Sequence, residues 1–207
     1  LPWRHTQDPY AIWLSEVILQ QTRIAQGTAY WQKFMARFPS VESLAAATED
    51  EVLRLWQGLG YYSRARNLRI AAQQVVDMGG FPSTFLELKR LKGVGDYTAA
   101  AVASFAFGQP IPAVDGNAYR VLARHYGIST PIDSTEGKKE FFALAQSLMS
   151  KTRPADFNQA MMDLGATLCM PTAKPDCSVC PLVDSCIAFR EGRIAALPVI
   201  AKHTKVA

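Results

Sequence analysis

The chain has 207 residues, is 49% hydrophobic, and carries 22 Lys and Arg against 18 Asp and Glu, for a formal net charge of +4. So much apolar content excludes a disordered chain, and no apolar run reaches the roughly 20 residues that a transmembrane helix needs. The modest basic excess is compatible with a nucleic-acid-binding face without requiring one.

Helix punctuation recurs along the sequence. Asp8-Pro9 pairs an N-cap with proline at the first helical position and predicts a helix over 9–21. A second helix is expected over about 28–38, stopped by Pro39, and Ser40 caps a short third. Thr48-Glu49-Asp50-Glu51 is a capping box opening 49–57, which Gly58 and Gly60 end. Ser63 introduces a helix to about Met78, closed by Gly79-Gly80, and Thr84 caps a brief one. Later helices read as 96–107, 116–126, 136–150 and 155–168. Period-two strand patterns are absent, so the fold class is all-α. Two helical lobes are expected, one over 26–124 and a second joining 1–25 to 128–198. A cleft between them would receive Glu16 from one side and Asp115 from the other. Residues 199–207 read as a linker toward a further domain.

Within this frame a few stretches carry chemistry. In Leu91-Lys92-Gly93-Val94-Gly95 the glycines suit a tight turn, whose free N–H groups beside a helix N-terminus would face a phosphate. Glu16 is the only acid of its helix after the cap, set among Ala11, Ile12, Trp13, Val17, Ile18 and Leu19. It either reaches solvent, pairs with an arginine or is desolvated, and desolvation keeps a carboxyl protonated, as a general acid requires. Gln20 lies one turn on, and Gln21-Thr22 stand at the helix exit, where amides could reach base edges. Asp115, before Gly116-Asn117, reads equally as an N-cap or as a catalytic carboxylate, and the two roles are compatible. One neutral and one ionised carboxyl is an arrangement that cleaves glycosidic bonds. Gly58 to Asn67 combines a glycine turn, two aromatics and alternating arginines. That stretch is either a solvated basic helix entrance or a wedge between bases with arginines on phosphates. All four cysteines fall together at Cys169, Cys177, Cys180 and Cys186. Such crowding favours metal ligation in a reducing compartment over a secreted disulfide framework. One close pair instead of two suits a cubane iron–sulfur cluster and leaves zinc open.

Together these segments resemble the helix-hairpin-helix DNA glycosylases and, among them, the adenine-DNA glycosylase (MutY) family. The likeness covers nearly the whole chain. It is carried by Leu1-Pro2-Trp3-Arg4, Ser15 to Thr22, Gly58 to Asn67, the hairpin, Val114 to Asn117, Phe157 to Gly165 and the cysteine loop. The resemblance implies a cytoplasmic, bacterial enzyme of base excision repair; a monomer is the default expectation, since no assembly motif is visible in the sequence. Its partner would be double-stranded DNA with adenine opposite 8-oxoguanine or guanine, and the adenine would be flipped out and its N-glycosidic bond hydrolysed. It also implies Glu16 as proton donor to adenine N7 and Asp115 as the group that stabilises or captures the oxocarbenium ion, with Tyr97 and Asn117 beside them. Trp3, Arg4, Gln159 and Asp163 would line the adenine pocket, and Gln20 and Tyr61 would fill the gap and probe the opposite base. Gly93, Val94 and Gly95 would hold the DNA backbone, and the four cysteines a 4Fe–4S cluster.

Tyr97 stands where the similar endonuclease III proteins carry a lysine that forms a Schiff base and cuts the strand. A phenol cannot do so. The expectation is therefore a monofunctional glycosylase, ahead of a bifunctional glycosylase/lyase or a non-catalytic binding module. Three departures from the family pattern stand out. The first cysteine gap is seven residues where six is usual. Lys92 replaces a frequent proline, and the C-terminal domain that verifies 8-oxoguanine lies outside these residues.

Overall fold

A computed structural model describes residues 1–171 and 175–201. Among the described residues there is no strand, as the sequence pattern predicts. The first long helix, α1 (Pro9–Leu19), starts where Asp8 Oδ1 accepts the Tyr10 N–H at 3.0 Å and Pro9 presets the backbone. Every residue from Tyr10 to Ile18 is buried, so α1 is a central helix with no solvent face. There follow α2 (Ile24–Arg37), α3 (Val41–Ala46), α4 (Glu49–Trp56), α5 (Ser63–Asp77), α6 (Phe85–Leu88) and α7 (Asp96–Phe107). Reciprocal capping boxes open α3 (Ser40 with Ser43) and α4 (Thr48 with Glu51). Next come α8 (Gly116–Tyr126), α9 (Thr135–Leu148), α10 (Pro154–Thr167) and α11 (Ile187–Arg190).

Most boundaries fall within two residues of expectation. The exception is α2, which begins at Ile24 and runs through Gly27 instead of starting after it. A Cβ on Gly27 would stand 2.5 Å from Leu19 Cδ2, so this glycine lets α2 pack closely on the end of α1 and is not a breaker.

The chain forms two compact units, Leu1–Ile111 and Pro112–Ala207. In the first, α1 packs on α2, α5 and α7, α3 and α4 on α5, and α6 on α7. Its core includes Trp13, Phe34, Phe38, Trp56, Leu68 and Val102. In the second, α8 packs on α9, α10 and α11 around Leu122, Phe141, Ala145, Ala188 and Leu197. This division differs from the expected lobes. Residues 1–25 belong with the first unit because α1 is the centre of its core, and α8 belongs with the second because it carries that unit's contacts. Of the expected linker, Val199 O accepts the Ile132 N–H and Ala201 N–H donates to Asp133 Oδ1, and 202–207 lie outside the described residues. No helix among the described residues is long and apolar enough to cross a membrane.

Candidate active site and DNA interface

The first unit holds Trp3, Arg4, Glu16, Gln20, Tyr61, Tyr97 and the hairpin. Glu16 is 8% exposed on α1, a buried acid on a helix that is otherwise apolar or small. One turn on, Gln20 Nε2 donates to Thr98 Oγ1 at 3.3 Å, which ties the exit of α1 to the first turn of α7 next to half-buried Tyr97. Trp3 is buried, with its ring 5.6 Å from that of Trp31, whose Nε1 donates to Ala11 O at 2.9 Å. The N-terminal turn carrying Trp3 and half-buried Arg4 is thus seated over α2, which is itself bonded to α1.

The hairpin leans on α5. Lys92 N–H donates to Gln74 Oε1 at 2.7 Å, and Gly93 lies at φ +76, where a Cβ would stand 2.7 Å from Asn67 Cβ. Both the left-handed backbone and the close approach of Asn67 therefore demand glycine there. Val94 is buried beneath the turn, and extended Gly95 is the N-cap residue of α7, leaving the first N–H groups of that helix without a side-chain cap. An ion pair between Lys89 and Asp96 closes the turn.

The first two arginines after Tyr61 both have protein partners. Arg66 pairs with Glu49 at 3.0 Å. Arg64 folds beneath the end of α1 and donates to Val17 O (3.2 Å), Ile18 O (3.3 Å), Gln20 O (2.5 Å) and Leu59 O (3.3 Å). Burial pulls its guanidinium pKa below the ordinary value, with the neighbouring Tyr61 opposing. Gln21 (φ 57) and Tyr61 (φ 47) are the non-glycine residues with left-handed backbone among the described residues. That conformation costs about 1–2 kcal/mol per residue. Tyr61 is 67% exposed, as a wedge would be.

The second unit holds Asp115, Asn117, Gln159, Asp163 and the cysteines. Asp115 is the N-cap of α8, its Oδ1 accepting the Ala118 N–H at 2.8 Å and its Oδ2 the Asn117 Nδ2–H at 2.8 Å. Asn117 Oδ1 in turn accepts from Arg120 Nη2 at 2.7 Å. Arg120, only 8% exposed, also donates to Gly165 O at 2.7 Å and to Cys169 O at 2.6 Å. Gly165 has no room for a side chain, because a Cβ would lie 2.5 Å from Asn117 Cβ. Asn158 Oδ1 accepts the Ala113 N–H at 3.0 Å and fixes the approach to Asp115. Gln159, half-buried, and Asp163, exposed, lie four residues apart on one face of α10.

One turn after Arg120, buried Arg124 donates to Met170 O (2.9 Å), Ile194 O (3.1 Å) and Leu197 O (3.0 Å) and approaches Cys169 Sγ at 3.5 Å. The four thiols, none in a disulfide, line one cavity with Arg124 and Leu168. Burial, then the neighbouring thiols, push the Cys177 pKa up, so a thiolate at Cys177 calls for a cation beside it. Among the described residues, no three His, Cys, Asp or Glu side chains are spaced to hold a single metal ion. A four-iron cubane is less demanding, since each thiolate takes its own iron and the sulfurs stay farther apart. The donor set fits such a cluster; residues 172–174 of the loop lie outside the described residues.

Sequence reasoning read Arg64 as part of a basic helix entrance or as a phosphate contact, not as a bond to carbonyls of α1, and it missed Arg120, Arg124 and the bond made by Asn158. For Arg120 and Arg124 a signal existed: two arginines four apart, flanking Val121, Leu122 and Ala123, share the inward face of an amphipathic helix.

Comparison with known proteins gives the family. The family model described as "HhH-GPD superfamily base excision DNA repair protein" matches residues 14–150. The adenine DNA glycosylase of Mus musculus is 45% identical over 96% of this chain and 41% of its own length. That of Homo sapiens is 46% identical over 91% of this chain and 36% of its own length. The chain therefore spans well under half of these curated relatives. The solved structure of a thermostable thymine-DNA glycosylase superposes with a TM-score of 0.84 at 32% identity, covering 92% of this chain and 88% of that one. A described fold without strands, a glycine hairpin leading into α7 and a matching family model lead to one conclusion: the chain belongs to the HhH-GPD superfamily of base excision DNA repair proteins.

Proposed function

We propose that the chain is the catalytic portion of an adenine-specific, monofunctional DNA glycosylase acting on adenine opposite 8-oxoguanine or guanine. The observation that carries this reading is Asp115, whose two oxygens are oriented by a helix N–H and by the Asn117 amide. Adenine specificity is supported by the names of the relatives at 45% and 46% identity.

In this reaction Glu16 delivers a proton to N7 of the flipped adenine. The electrons of the bond between the sugar C1′ and N9 then leave with the base. Asp115 faces the positive charge that develops on the sugar, electrostatically or by a transient bond to C1′. Water then adds at C1′ and yields an abasic site with the backbone intact. Tyr97 and Asn117 flank the reacting sugar. Trp3, Arg4, Gln159 and Asp163 line the adenine pocket, and Gln20 and Tyr61 probe the opposite base. The turn at Gly93, Val94 and Gly95 grips a phosphate with backbone N–H groups. Cys169, Cys177, Cys180 and Cys186 would hold a 4Fe–4S cluster that supplies structure to the loop and takes no part in bond breaking.

Single-turnover cleavage of duplexes holding adenine opposite 8-oxoguanine, guanine or thymine, with and without alkali, tests the reading. Nicking of the adenine strand should require alkali and be strongest opposite 8-oxoguanine, and Glu16→Gln should abolish base release while DNA binding persists. Nicking without alkali would assign the chain to the lyases, and a fully active Glu16→Gln would remove Glu16 from the acid role.

A further inference from the structure

Helix α1 ends with carbonyls that lack intrahelical partners. Leu19 O is taken by the Thr22 N–H. Val17 O, Ile18 O and Gln20 O are all taken by Nη1 of Arg64, 44 to 47 residues later in the chain. The same guanidinium reaches Leu59 O through Nη2 and lies 5.1 Å from the Trp56 ring centre and 5.7 Å from that of Tyr61. The Arg64 backbone N–H closes the Tyr61 turn by donating to Tyr61 O at 2.9 Å.

The two non-glycine left-handed residues among those described, Gln21 and Tyr61, therefore both adjoin this one side chain. One follows the carbonyl that Arg64 binds at 2.5 Å, and the other lies under its guanidinium. Strained backbone persists where its surroundings over-determine it, and such strain gathers at ligand-contacting sites. Here the surrounding element is a planar cation with several donors in fixed geometry, which a lysine cannot reproduce.

We infer that Arg64 is a positioning residue for opposite-base recognition: it locks the α1 exit carrying Gln20 and Gln21 to the turn carrying Tyr61, so that the two probes hold one relative placement. This rests on the glycosylase reading above for the word recognition, and on the hydrogen bonds alone for the lock. It separates Arg64 from phosphate binding, since Nη1 and Nη2 already serve protein carbonyls and Nε, which has no hydrogen-bond partner, is buried.

The test uses Arg64→Met, which keeps the apolar stem, and Arg64→Lys, which keeps the charge and replaces the methionine variant should that one fail to fold. In the DNA-free protein, amide exchange of residues 17–24 and 58–62 should quicken together, with the rest of the first unit unchanged. On DNA, the ratio of single-turnover rates for adenine opposite 8-oxoguanine and opposite guanine should fall roughly 10- to 100-fold. The slope of log K for DNA binding against log salt should stay that of the parent. A slope reduced by about one unit would make Arg64 a phosphate contact and overturn the inference. Equal rate losses on both duplexes, in step with a lowered unfolding midpoint, would reduce it to a structural residue and overturn it as well. A parent chain that releases no adenine would sink the glycosylase reading, while the exchange experiment still decides the lock.

Discussion

Asp115 is at once a helix cap and the proposed partner of the sugar cation, and asparagine separates the two roles. Asn caps a helix as well as Asp does, so Asp115→Asn should keep α8 intact, at a cost of about 1–3 kcal/mol for the acceptor that the Asn117 amide loses. The same change removes the negative charge. Base release should then fall on the order of 10²- to 10³-fold, measured in single turnover beside a denaturant titration. Retained activity would leave Asp115 a cap only. The burial of Glu16 and the capping of α8 by Asp115 were legible in the sequence, because one is an acid among apolar residues and the other stands at a helix mouth. Arg64 and Arg120 were not legible. An arginine that reaches solvent and one that folds under a helix end look alike until the distant carbonyl, Gln20 O or Cys169 O, is known.

At the scale of elements, local chemistry set most boundaries. The Thr48 box opens α4 where it was expected, because its bonds join residues three apart: Thr48 N–H to Glu51 Oε2 at 2.9 Å and Glu51 N–H to Thr48 Oγ1 at 3.3 Å. The start of α2 was misread because Gly27 answers to Leu19, a contact across two helices that no local rule contains. The box also predicts a pH response. The Thr48 N–H, then its hydroxyl and less strongly Arg37, hold the Glu51 carboxyl below its ordinary value of 4.5. The folded state thus binds fewer protons than the unfolded one in that window. Its contribution is complete above pH 4.5 and is lost as pH falls through the lowered folded value. Denaturant midpoints from pH 6 down to about 3 should fall less steeply for Glu51→Gln than for the parent. Parallel profiles would show that the box carries no such linkage.

At the scale of the whole molecule, the two units are held in different ways. The first has a large aromatic and aliphatic core around α1 and α5. The fully buried cluster of the second is small, and it relies on Arg120 and Arg124, which thread the cysteine loop onto α8 through carbonyl bonds. The sequence showed that the chain is helical and could be two packed parts, but not where they divide. Helix order says nothing of which faces meet, and α1 reads as equally apolar toward either half. A buried cation with its partner removed is costly, so loss of the loop's order should be felt first in α8 and α10. Iron removal by acid and chelator, or Cys180→Ser, should accelerate amide exchange across 116–126 and 154–167 well before it does so across 9–19 and 63–77. The parent should be brown and lose that colour in step with the change. Uniform acceleration across both units would mean that one cooperative core spans the chain. No acceleration after complete loss of iron would mean that the arginine network holds the second unit without a cluster.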